Sequence, residues 1–164
     1  MKDISGIIAS QVMHSPVICA SPDELLKELE ERLEDRHISG MPVVENGEMI
    51  GIITQNDLTQ LPSMMDSMAN YVYGELLSSG PVLESADENQ DGMPDNLSFR
   101  GQISKMKVRE AMRRKVISCD PATTIEDVMR LMADHGVHRI VVAENARPVG
   151  IISTLDVLRL LVND

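Results

Sequence analysis

Aromatic side chains are almost missing from this sequence: one Phe, two Tyr and no Trp occur among 164 residues. A surface that stacks nucleic-acid bases needs such rings, and a formal net charge of -11 repels a phosphate backbone, so composition speaks against nucleic-acid binding. Cysteine is scarce too. Cys19 and Cys119 are far apart and lie within apolar runs, with no CxxC pair and no His/Cys cluster. Buried thiols in a reducing compartment are expected, and a zinc site is not. No apolar run is long enough to span a bilayer, and Lys2-Asp3 ahead of the short Ile4 to Ile8 segment is unlike a secretory signal, so a soluble cytoplasmic protein is expected. Catalytic signatures are lacking as well. There is no nucleophile elbow, no zinc-ligand constellation and no Walker-type glycine loop, and every histidine but His138 is isolated; no enzymatic activity is expected.

What the chain does contain is a copy of itself. At an offset of 99 residues, Met13 to Leu61 matches Met112 to Leu160 without a gap. Val17, Ile18, Pro22, Val43, Asn46, Gly51, Ile52, Ile53 and Asp57 are among the residues that meet their own type in the second copy. A hydrophobic content of 43% suffices for one domain of this length.

Each copy reads as βαββα. A short strand, Val17-Ile18-Cys19 or Val116-Ile117-Ser118, leads to Pro22 or Pro121, placed at a helix entrance where its fixed φ is useful. In the second copy Ile125, Val128, Met129 and Met132 follow helical spacing, capped by Thr123xxGlu126 or Thr124xxAsp127; in the first, Leu26, Leu29 and Leu33 hold the stripe and Glu30 replaces Met129. A hairpin follows. Its first version turns at Asn46-Gly47, which tolerate positive φ, between Val43-Val44 and Ile50 to Ile53; its second joins Ile140 to Val142 with Val149 to Ile152. Thr54xxAsp57 and Ser153xxAsp156 then fit capping boxes that open the last helix of each copy. A unit of about fifty residues buries too little surface to be secure alone. The expected fold is therefore mixed α+β, with two repeats packed sheet to sheet about a pseudo-twofold axis: residues 7–62, an insert over 63–104, and residues 105–162.

The insert has features of its own. Met65, Met68, Val72 and Leu76 recur at helical spacing beside Met64, an adaptable packing stripe or a homodimer contact. From residue 78 to about 100, Ser, Gly, Pro, Asn and acids predict an exposed loop. Asp87 to Gly92 matches the first half of an EF-hand loop, but the twelfth position is Ser98 where a bidentate Glu is needed, so a solvated acidic loop is expected there.

With these marks each half resembles a CBS domain, and the pair resembles the tandem CBS or Bateman module. The matching residues are Pro22-Asp23, Ile38 to Val44 and Gly51 to Asp57 in the first half, and Asp120-Pro121, Gly136 to Val142 and Gly150 to Asp156 in the second. The resemblance implies a regulatory module, without catalysis or a required cofactor, that binds adenosyl ligands such as AMP, ADP, ATP, NAD or S-adenosylmethionine between the halves and signals occupancy to a protein partner. It implies that Thr54 and Asp57, and Ser153 and Asp156, hold ribose and phosphate. Physically this suits them: a carboxylate accepts from both ribose hydroxyls, and a helix N-terminus favours phosphate. The same residues also serve as caps with no ligand present. His138-Arg139 resembles the phosphate contacts in the gamma subunit of AMP-activated kinase; the alternative is that Arg139 pairs with a carboxylate such as Glu144. The first half has Ser39-Gly40 there, leaving Ser39 to touch base or sugar. Adenine is expected against the backbone near Ile18 to Ala20 and Ile117-Ser118-Cys119. The competing expectation is a structural adaptor that dimerises or docks without any ligand.

Overall fold

Two hairpin turns, Asn46-Gly47 and Asn145-Ala146, reverse the chain with both central residues at positive φ: 53° and 85° in the first, 49° and 63° in the second. That geometry matches the natural twist of paired strands, which is why asparagine and glycine are favoured and why Ala146 is held against its preference. The structure, a computed structural model, describes residues 4–61, 103 and 105–162. In chain order its elements are α1 (Leu26–Asp35), β1 (Gly40–Glu45), β2 (Glu48–Thr54), α2 (55–61), α3 (Val108–Ala111), β3 (Ser118–Cys119), α4 (Ile125–His135), β4 (Arg139–Glu144), β5 (Arg147–Ser153) and α5 (Thr154–Val162). The fold is mixed α+β and repeats its order of elements.

The helices obey their stripes. Leu26, Leu29 and Leu33 of α1 are buried, and so are Ile125, Val128 and Met132 of α4. Of the two caps open to α4, Thr124 is used: its hydroxyl oxygen accepts the Asp127 N–H at 3.2 Å. Gly136 ends α4 in the left-handed region, φ 61°, and His37 takes the same conformation, φ 52°, after α1.

Two expectations need correction. The first copy has no strand at 17–19; only Ala20 makes a bridge, parallel to Val43. In the second copy the strand is short, Ser118–Cys119, beginning two residues and ending one residue later than expected, and pairs in parallel with β4. Runs of two or three apolar residues carry too little pattern to set strand ends. Pro22 and Pro121 sit in turns several residues ahead of α1 and α4, so they shape the approach and not the first helical turn. The stripe at Met65 to Leu76, the loop at 78–100 and the EF-hand-like segment lie outside the described residues.

The chain divides into two compact units. One comprises Met1–Pro22, Met41–Ile53 and Arg113–Asp164; the other comprises Asp23–Gly40 and Thr54–Met112. The first is built round Ala9, Cys119, Ile125, Val128, Ile140, Val142, Ile152 and Val157, all buried. In the second, the α1 leucines are buried together with Val108.

Within each unit the opening segment of one repeat completes the other. In the first unit Ala9 N–H donates to Thr123 O and Ile125 N–H to Ile7 O; in the second, Val108 N–H donates to Glu24 O and Leu26 N–H to Met106 O. These pairs are related by the 99-residue offset. The sheets follow the same rule: His14 bridges Ile151 on the free side of β5, and Arg113 bridges Ile52 on the free side of β2. Each hairpin thus gains an outer rung from the chain that leads into the other copy.

Gly150 allows one of these approaches. A Cβ at this position would run into the Met13 side chain, including its own Cβ and Cγ, so the neighbour cannot yield by swinging a flexible tip. Gly150→Ala is expected to cost about 1–3 kcal/mol of stability, read as a lower urea midpoint. An unchanged midpoint would show that Met13 is not fixed there.

Candidate functional site

At the exit of β5 the chain enters α5, whose first N–H groups have no partner within the helix. Asp156 turns back to satisfy them. Its Oδ2 accepts the Ser153 N–H at 2.8 Å and the Ser153 hydroxyl at 2.5 Å, while its own N–H donates to Ser153 Oγ at 3.3 Å. The other carboxylate oxygen, Oδ1, lies 2.8 Å from His14 Nε2 and 3.7 Å from an Arg159 nitrogen. Asp156 is only 8% exposed. Burial pushes its carboxyl up, but the hydrogen bonds from Ser153 and His14 outweigh burial and hold it below the ordinary carboxylate value. It is therefore an anion at neutral pH, able only to accept hydrogen bonds.

β4 brings His138 and Arg139 alongside. Arg139 is paired with Ser153 across the hairpin, and the His138 carbonyl accepts both the N–H and the hydroxyl of Thr154, at 3.0 Å and 3.2 Å. Both side chains are exposed. Neither forms a hydrogen bond or ion pair with the described residues. The pairing of Arg139 with Glu144 is not made, because Glu144 stands at the far end of the strand opposite Arg147. Ser118, exposed, pairs with Val141 on the other side of β4, and Ile117 before it packs on the core. The second copy thus brings Ser118, Arg139, Ser153 and Asp156 together from three adjacent strands and a helix start.

The first copy repeats the cap. Asp57, also 8% exposed, accepts the Thr54 N–H at 2.9 Å and the Thr54 hydroxyl at 2.6 Å. The Ser39 carbonyl takes the Gln55 N–H at 3.0 Å, as His138 does for Thr154. Ile18 and Ala20 belong to the other unit: Ala20 is buried beside β1 and Ile18 is 36% exposed.

Sequence reasoning missed His14. Its signal was present: the 99-residue offset sets His14 over Arg113, so a basic residue type stands at the matching position of each copy. Burial pushes the Cys119 thiol up, which disfavours its thiolate at neutral pH. Among the described residues no cluster of His, Cys, Asp and Glu could hold a metal ion, and no helix is long and apolar enough to cross a membrane.

Comparison with known proteins agrees with this architecture. The CBS domain family model matches residues 9–63 and 108–163. The uncharacterized protein MJ1426 of Methanocaldococcus jannaschii is 26% identical over 159 residues, covering 95% of this chain and 92% of that protein. The CBS domain pair of protein MJ0100, solved with 5′-methylthioadenosine and S-adenosyl-L-methionine, superposes with a TM-score of 0.65 at 19% identity, over 94% of this chain and 98% of that one. CBSX2, solved with AMP, gives 0.67 at 17% identity, over 95% and 96%. Other relatives are longer, and the chain spans 42% of one and 48% of another. With two matched copies filling most of its length, the chain belongs to the CBS domain family, as a tandem pair.

Proposed function

We propose that this CBS pair is a regulatory module that binds an adenosyl ligand, with its stronger site in the second copy, and passes occupancy to a protein partner. One observation carries the reading: Asp156, a buried anion at a helix start, is bonded to Ser153, the residue paired with Arg139, and Arg139 is exposed and engages none of the described residues. A carboxylate suits a ribose diol, and an open guanidinium suits a phosphate or carboxylate. The adenosyl ligands of the MJ0100 and CBSX2 structures support the chemical class. The role in this reading is regulatory and not catalytic.

A second reading is a docking adaptor without ligand, favoured by the fact that both caps close on themselves as they stand. A thermal-shift screen with AMP, ADP, ATP, NAD and S-adenosylmethionine separates the two. A ligand at a hundred times its Kd is expected to add roughly 2.7 kcal/mol of stability. No shift with any of the five would favour the adaptor.

A further inference from the structure

The Asp156 carboxylate has four lone-pair positions, and in this structure its oxygens are already engaged. Oδ2 takes two donors from Ser153, one of them the backbone N–H that fixes the start of α5. Oδ1 is the oxygen left for a ligand, and His14 Nε2 sits 2.8 Å from it. A ribose diol brings two donors and needs those positions.

His14 is placed to yield them. Its backbone is fixed on β5 by bonds in both directions with Ile151, 2.9 Å and 3.1 Å, whereas its side chain is 72% exposed. The ring can leave Asp156 and re-enter water without disturbing the strand. Arg159, also near Oδ1, is 61% exposed and stands farther off, at 3.7 Å.

Resting on the adenosyl reading of this site, we infer that His14 is its gate: the imidazole occupies the ribose-accepting oxygen of Asp156 in the empty state and must be displaced for a ribose to bind. The opening segment of the first repeat thereby sets the affinity of the second. With the His14 ring 72% exposed, its hydrogen bond to Asp156 contributes little, so the penalty on binding is modest.

The test is calorimetry of the full-length protein and its His14→Ala variant with adenosine and with 2′,3′-dideoxyadenosine, which lacks the diol. His14→Ala is expected to bind adenosine about two- to fivefold more tightly, with no gain for the dideoxy compound. Unchanged or weaker adenosine binding overturns the gate, and so does an equal gain for both compounds, since a merely structural role would not depend on the diol. Failure of both proteins to bind adenosine would instead remove the adenosyl reading, and the gate with it.

Discussion

A chain cut after residue 62 is expected to remain unfolded, although it contains the whole first repeat. The reason lies in the partners that the cut removes. The first turn of α1 is tied to the opening segment of the second repeat through Leu26 N–H to Met106 O and Val108 N–H to Glu24 O, and Asp23 holds Lys107 and Arg109, each at 3.0 Å. Without that segment the apolar stripe Leu26, Leu29 and Leu33 loses Val108, which is buried alongside it in the same unit. β2 loses its outer neighbour, because Ile52 pairs with Arg113 in both directions at 2.9 Å. A piece of this size is marginal even with its core complete. Circular dichroism should show little helix and no cooperative urea transition. A cooperative transition with the stability of the intact protein would refute the interdependence of the repeats.

The second large effect concerns the inequality of the two sites. Residues 13–61 carry three Lys or Arg against ten acids, and residues 112–160 carry seven against six, so an anion meets repulsion in the first copy and not in the second. Locally, Arg139 offers a phosphate two donors where Gly40 has no side chain. Loss of one charge-assisted contact costs roughly 1.5–3 kcal/mol, about ten- to a hundredfold in affinity. Arg139→Ala is expected to weaken AMP by that factor and to leave adenosine nearly unchanged. Asp156→Ala should weaken both, and Asp57→Ala should matter less. Calorimetry that finds two equal sites, or Asp57→Ala as the more damaging change, would show that charge does not rank them.

The repeat, both hairpins and both capping boxes were legible in the sequence because each is a local pattern. Periodicity marked α1 and α4, Asn46-Gly47 marked the first hairpin turn, and the polar run from Glu144 to Arg147 marked the second. The strand at Val17 to Cys19 failed for the converse reason: three apolar residues identify a buried segment, but pairing with β1 decides whether it is a strand. His14 was harder still. Its role depends on one bridge to Ile151 and one contact with Asp156, 142 positions away, and no window of the sequence contains both. Only the offset that aligns it with Arg113 hints at a shared place. Ser153 and Asp156 were found as residues, but the cap they make could not reveal which carboxylate oxygen remains for a ligand.

The exchange of leading segments also constrains how such a chain can be inherited. A single repeat has no segment to complete its hairpin, and a third would have none to receive in return. Gain or loss of one copy therefore strands a partner, whereas duplication of the pair leaves every rung filled. Drift between copies is tolerated where the exchange is not reciprocal: Met49 N–H reaches Ala146 O at 2.7 Å, but Pro148, its counterpart, has no N–H to offer back. The two copies are thus locked as a couple while remaining free to diverge in chemistry, one retaining a cationic strand entrance at His138-Arg139 and the other Ser39-Gly40.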